Sequence, residues 1–202
     1  MSLICRRYAL LGVLLLAAGC ASGPPEDVTE APPLGVPTEY LDEQTGATVT
    51  TVDHALIFAR DRSERAANLR DYVTVAAASV NRGGKREYVL IAYIWSTLDP
   101  RYEPAGAAAD ALTLVADDRR IRLNANGRSA ASLGIVRTPL APPGQVVTPL
   151  VFPTDLDTMR FIAAARSLSI QTAVGEEAVS YELWEDQRAA LDRFVRFLNG
   201  ER

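Results

Sequence analysis

Two apolar runs joined by a glycine-containing turn are the feature that most restricts the fold. Residues 72–80 and 87–97 are rich in β-branched and aromatic side chains, and residues 81–85 read Asn-Arg-Gly-Gly-Lys. Glycine tolerates the positive φ angles of tight hairpin turns, so the pattern predicts a β-hairpin with its loop at residues 81–85. Alternate residues of the second run point to opposite faces, and both faces are apolar: Tyr88, Leu90, Ala92 and Ile94 on one, and Val89, Ile91, Tyr93 and Trp95 on the other. Such a strand is predicted to lie in the centre of a sheet.

Several further β-strands are predicted on both sides of this hairpin. They are short runs of β-branched and aromatic residues bounded by turn-forming residues such as Gly, Pro, Asn and Asp. The runs are residues 48–52, 55–59, 111–115, 121–123, 146–152, 167–174 and 178–183.

Two helices are predicted in the last third of the chain. The first spans residues 155–166, with Thr154 as its N-cap and acidic residues in its first turn. The second spans residues 186–199, and its apolar stripe, which we expect to pack on the sheet, is formed by Leu191, Phe194, Val195 and Leu198. We therefore predict a β-rich α+β fold, an antiparallel β-sandwich or rolled sheet with one short helix and a C-terminal amphipathic helix.

The first twenty residues have the composition of an export signal. Arg6 and Arg7 precede an uncharged apolar run at residues 8–18, and small residues follow up to Cys20. That run is about half of the roughly 20 residues that a helix needs to cross a bilayer, and no longer run in the chain is equally apolar. The sequence therefore predicts a signal peptide and excludes a multi-pass membrane protein.

The end of this segment, Leu16-Ala17-Ala18-Gly19-Cys20, resembles the lipobox of bacterial lipoproteins. The resemblance implies that residues 1–19 are removed as a signal peptide and that acyl chains such as palmitate on Cys20 anchor the protein. It also implies an outer-membrane anchor facing the periplasm, because Ala21 stands where many lipoproteins of the inner membrane have aspartate. The alternative is a conventional secreted protein in which Cys20 has no role. Cys5 lies in the segment to be removed, so the mature chain has no intramolecular disulfide.

The charges of the predicted mature chain are unevenly distributed. Residues 20–46 hold six acidic and no basic residues together with five prolines, a composition that predicts an extended lipid-anchored tether. Residues 47–202 hold equal numbers of acidic and basic residues and are predicted to form a single globular β-rich domain. A neutral domain lacks the positive surface that nucleic acid requires, so no nucleic-acid partner is expected.

The residues that could support catalysis or metal binding are few. His54 is the only histidine of the chain, and Asp53, if both residues lie on a strand, points to the opposite face. The sequence offers no ligand set for zinc and no calcium-loop or P-loop spacing, so no metal and no cofactor are expected. An envelope hydrolase acting on peptidoglycan or another glycan, with His54 as its base, remains the alternative function.

The aromatic residues of the central hairpin form the candidate binding site. On an exposed face Tyr88, Tyr93, Trp95 and Tyr102 would form a platform for a partner protein or a cell-wall glycan, whereas core packing is the competing explanation. Trp184, before the last helix, is expected to close the core. We therefore predict a non-catalytic binding or scaffolding domain held at the membrane by its N-terminal lipid.

Overall fold

The computed structural model describes residues 35–97, 110–135, 139–140, 148–174 and 177–201. These residues belong to one compact unit, Pro33–Arg202. Cys20 and most of the predicted tether lie outside the described residues, as do Tyr102 and the start of the strand predicted at residues 146–152.

Ten strands and two α-helices make this unit a β-rich α+β fold, as the sequence predicts. The helices α1 and α2 are Leu156–Ala164 and Arg188–Leu198, and a short 3-10 helix spans Ala131–Leu133. The strands are β1 Thr38–Asp42, β2 Ala47–Thr51, β3 Leu56–Asp61, β4 Arg70–Arg82, β5 Lys85–Ser96, β6 Ala111–Ala116, β7 Arg119–Asn124, β8 Leu150–Thr154, β9 Leu168–Val174 and β10 Glu177–Glu185.

All ten strands belong to one antiparallel sheet, which rolls up. Its main order is β8-β5-β4-β3-β10-β9-β6-β7, and β7 at one end lies beside β8 at the other. The far end of the long strand β4 pairs with β2, which in turn pairs with β1. Of the two architectures that the sequence allows, the protein therefore has the rolled sheet, with one continuous hydrogen-bonded ladder.

The hairpin β4–β5 forms as predicted, but its turn is tighter. The strands extend to Arg82 and Lys85, so that Gly83 and Gly84 alone make the turn, with φ angles of 59° and 86°. The Gly84 N–H donates to the Asn81 side-chain oxygen over 3.1 Å. Two successive positive φ angles match the twist of the strands, and glycine adopts them without a steric penalty.

Both faces of this hairpin are buried, and each contacts a separate apolar cluster. Leu90, Ala92 and Ile94 face the interior of the rolled sheet, which both helices help to fill. Val89, Ile91 and Tyr93 face a second cluster with β2, β8 and residues 130–135. The alternation read from the sequence is thereby confirmed.

The helices pack as predicted, although their ends differ by a few residues. Phe194 and Val195 of α2 are buried against the sheet interior. The N-cap of α1 is Asp155 and not Thr154, because the Asp155 carboxylate accepts the Thr158 N–H over 2.7 Å, while Thr154 still belongs to β8. These hydrogen bonds hold the pKa of Asp155 below its usual value.

The sheet begins earlier than the predicted domain boundary at residue 47. Strand β1 lies within the segment assigned to the tether, and all five of its residues pair with β2. Further toward the N-terminus, the Gly35 N–H donates to Asp53 over 2.7 Å, and the Gly35 carbonyl accepts from Arg193 of α2 over 3.2 Å. An edge strand can be mostly exposed, so β1 can carry the acidic residues that are also typical of a linker. Its composition therefore did not indicate a strand.

Candidate functional site

The predicted platform of Tyr88, Tyr93, Trp95 and Tyr102 is not assembled by the described residues. Tyr88 faces the sheet interior, whereas Tyr93 and Trp95 lie on the opposite face. Tyr93 is 1% exposed, and its hydroxyl donates to the Pro139 carbonyl over 2.8 Å. Core packing therefore accounts for Tyr88 and Tyr93, and Tyr102 lies outside the described residues.

Trp95 remains partly exposed and forms a rigid pair with Tyr72. The two residues are directly opposite on β5 and β4, and their rings stack with centroids 4.4 Å apart and planes 18° from parallel. The Trp95 indole N–H donates to the Thr74 hydroxyl over 3.0 Å. Stacking and the hydrogen bond together hold both rings in one arrangement.

Trp184 lies outside the core that it was predicted to close. Its side chain is 53% exposed, and the Arg70 guanidinium carbon lies 4.4 Å from the centre of its ring. The register between β10 and β3 shifts between Leu183 and Glu185, a bulge that places Trp184 opposite no single partner. Bulges can change the direction of a side chain, and at this bulge the Trp184 indole lies on the outer face of the sheet.

The strand registers place Tyr72, Trp95, Trp184 and Arg70 on one side of the sheet. Tyr72 pairs with Trp95 on β5 and with Ala59 on β3, and Ala59 pairs with Glu182 on β10. Arg70 and Tyr72 alternate with the inward Asp71 and Val73, just as Trp184 alternates with the inward Leu183. We call the outer face formed by Arg70, Tyr72, Trp95 and Trp184 the Trp184 surface.

A pattern in the sequence could have revealed Trp184. The run from Val179 to Trp184 alternates strictly, with Val179, Tyr181 and Leu183 facing the core and Ser180, Glu182 and Trp184 facing outward. Extending the predicted strand from residue 183 to the observed end at Glu185 puts the tryptophan in the outward set.

The environment of His54 differs from the prediction. Asp53 and His54 lie in the loop between β2 and β3 and not on a strand, so the Asp53 carboxylate reaches the His54 ring at 2.8 Å from Nδ1. Partial burial raises the pKa of Asp53, but hydrogen bonds from His54 and from the Gly35 N–H outweigh it, and the pKa lies below its usual value. Strand alternation could not anticipate this contact, because it holds only within strands.

His54 also lines a narrow pocket between the sheet and both helices. The pocket has room for about one water molecule. Its only polar lining residues are His54 and Gln187, and among the described residues it offers no hydroxyl or thiol nucleophile. The other lining residues are Val52, Leu56, Val75, Ala77, Leu90, Leu114, Ile162 and Leu191.

A buried ion pair lies inside the rolled sheet, toward the start of β4. Arg62 donates to the fully buried Asp71 carboxylate over 2.7 Å and to the exposed Glu64 over 2.7 Å. Tyr181 is also fully buried, and burial raises the pKa of its phenol to about 12. Because Arg62, Asp71 and Tyr181 are closed to solvent, they stabilise the fold and do not contact a ligand.

Two further findings concern metal ligands and helices in the part of the chain that the structure describes. No cluster of three or more His, Cys, Asp or Glu side chains there is arranged to hold a metal ion. No described helix is long and apolar enough to cross a membrane.

Comparison with known proteins adds no relative. Neither a protein-family model, nor a curated protein, nor a solved structure matches this chain significantly.

Proposed function

We propose that this protein is a lipid-anchored lipoprotein of the outer membrane, facing the periplasm, whose globular domain binds another envelope component without catalysis. The observation that carries the binding function is the Trp184 surface, where tryptophan and arginine form an ordered, partly exposed cluster. The lipobox at residues 16–20 supports the anchor. Two or three acyl chains on Cys20 give stable attachment, whereas one chain gives only marginal binding.

The composition of the Trp184 surface is that of a protein-binding site. Tryptophan, tyrosine and arginine are enriched among the residues that contribute most to protein–protein affinity. Each ring is already restrained, Tyr72 and Trp95 by their mutual stacking and Trp184 by Arg70. Restraint in the free protein lowers the entropy that binding must overcome.

The geometry favours a protein partner over a cell-wall glycan. A sugar ring packs flat on an open aromatic face, but Tyr72 and Trp95 cover one face of each other and Arg70 covers one face of Trp184. One face of each ring is therefore closed to a sugar, whereas a protein can also contact the ring edges and the guanidinium.

The anchor is tested by metabolic labelling of the full-length protein. Labelled palmitate is expected to enter the wild type, and Cys20→Ser should lose both the label and retention in the outer-membrane fraction. Cys5→Ser is the matched control and should keep both. Full labelling of Cys20→Ser would contradict the anchor while leaving the binding function open.

The binding function is tested by photocrosslinking in the native envelope. A photoreactive phenylalanine derivative at position 184, which keeps an aromatic ring there, is expected to give a discrete protein adduct. The control is the same residue at Leu41, which is 63% exposed on β1 away from the Trp184 surface. Identical adducts from both positions, or adducts with peptidoglycan alone at position 184, would argue against a protein partner at this surface.

A second candidate function, hydrolysis of peptidoglycan or another glycan, is favoured by one observation. The Asp53 carboxylate orients the His54 ring in the lining of a pocket, an arrangement that suits a general base acting on water. Release of soluble fragments from labelled peptidoglycan by the purified protein, and its loss in His54→Gln, would support this function. No release above the level of His54→Gln would exclude it for that substrate.

A further inference from the structure

The Trp184 surface carries charges of both signs around its aromatic residues. Arg70 lies over the Trp184 ring and stands opposite Asp61 of β3 in the strand register. Glu182 is exposed on the same outer face, two residues before Trp184, and accepts a hydrogen bond from the Ser180 hydroxyl over 3.3 Å. A cation and an anion thus lie on the same face as the exposed indole.

We propose that the protein which binds the Trp184 surface is a second copy of this chain. The inference rests on the proposed function and names its partner. In the dimer the Trp184 rings of the two copies meet near a two-fold axis, and Arg70 of each copy pairs with Glu182 of the other.

A two-fold interface must be complementary to itself, and this surface meets the condition. Each residue pair forms twice in such an interface, so the patch must supply both members of every charged pair. Arg70 and Glu182 do so, whereas a patch of one sign would repel its own copy. Trp184 contributes an apolar centre, and the charges form the rim that is typical of stable interfaces.

Lipid anchoring favours the same partner. Two copies attached to one membrane leaflet meet in two dimensions, which raises their effective concentration without any new contact. A modest surface can therefore hold a dimer in the membrane that is weaker in dilute solution.

The test measures the mass of the full-length protein in detergent over a range of concentrations, by sedimentation velocity. The wild type is expected to reach twice the chain mass, and Trp184→Ala should raise the dimer dissociation constant at least about tenfold. Leu41→Ala and Phe197→Ala, which remove exposed apolar side chains elsewhere, should leave it unchanged. Melting temperatures of all variants show that each is folded.

A charge exchange tests the proposed pairing. Arg70→Glu and Glu182→Arg should each weaken the dimer about tenfold, and the double variant should recover most of the loss because the pairs re-form with reversed sign. A double variant that is weaker than either single one would overturn the pairing.

Three outcomes relate this inference to the proposed function. A wild type that is monomeric in detergent at every concentration, with position 184 crosslinking to a different protein in the envelope, would overturn the dimer and leave the binding function intact. A monomer without any crosslink specific to position 184 would overturn both. A crosslinked product of twice the chain mass, together with Trp184-dependent dimerisation in detergent, supports both.

Discussion

The hairpin β4–β5 and the strand β10 both carry large aromatic residues in alternation, yet the two regions use them in opposite ways. In the middle of the hairpin, Tyr93 packs against residues 130–135 and its hydroxyl donates to the Pro139 carbonyl, so this part of the face is core, whereas Tyr72 and Trp95 at the end of the hairpin stay partly exposed. On β10, Tyr181 is buried inside while Trp184 remains exposed. Alternation tells which residues share a face, but the rest of the chain decides whether that face is covered.

The comparison also explains why one surface supports a functional proposal and the other does not. A tyrosine that is fully buried and hydrogen-bonded contributes to stability and reaches no partner. A tryptophan that is half exposed and restrained by an arginine adds little to stability and is available for binding. Substitutions that separate these two contributions therefore test the comparison.

The largest effect is expected for Phe194→Ala in α2. Phe194 is fully buried between the helix and the sheet interior, so its removal leaves a cavity and should lower the free energy of unfolding by about 3–5 kcal/mol. Phe197→Ala, on the same helix but 43% exposed, is the control and should cost less than about 1 kcal/mol. Equal losses in urea denaturation would show that burial does not separate the two classes of aromatic residue.

A slightly smaller loss is expected when the buried ion pair is broken. Asp71→Ala leaves the Arg62 guanidinium buried without its main carboxylate, which should cost about 3 kcal/mol. Glu64→Ala removes the exposed partner of the same arginine and should cost about 0.5 kcal/mol, because exposed pairs contribute little. Thermal denaturation of the two variants makes the comparison, and a larger loss in Glu64→Ala would contradict it.

A loss of about 1 kcal/mol is expected when the cap of α1 is removed by Asp155→Ala. The folded-state pKa of Asp155 lies below its ordinary value of 3.8, so its contribution is present above that value and is lost as the pH falls through the folded-state pKa. The stability difference between wild type and variant should therefore be constant near neutral pH and shrink below pH 3.8. Thr154→Ala, at the position predicted for the cap, should change the pH profile little.

The general fold could be predicted from the sequence because its strands and helices have strong local patterns. The hairpin β4–β5 and the stripe of α2 required only periodicity, and both are confirmed. The order of strands along the rolled sheet could not be derived in this way, because pairing between β6 and β9 or β3 and β10 depends on contacts between distant residues. Strand β1 was missed because an acidic edge strand resembles a linker in composition.

The candidate site was less predictable than the fold. Its residues come from β4, β5 and β10, so only the registers of a finished sheet bring them together. The Asp53–His54 contact could not be predicted for a different reason: it depends on the conformation of the loop between β2 and β3. Tyr72 and Trp95 could be placed on paired strands and Trp184 on an outward face, but alternation does not show whether other described residues cover the indole.

The smallest effect on stability is expected for Trp184→Ala, and it tests the comparison most directly. The substitution removes a half-exposed ring and its contact with Arg70, so it should lower the free energy of unfolding by only about 0.5 kcal/mol. Tyr93→Phe, which removes one buried hydroxyl and its bond to Pro139, should cost about 1 kcal/mol and leave binding at the Trp184 surface unchanged. Urea denaturation and crosslinking at an unaltered neighbouring position measure the two properties separately. If Trp184→Ala instead destabilises the protein by several kcal/mol, the indole belongs to the core, as the sequence suggested, and the difference between β10 and the hairpin disappears.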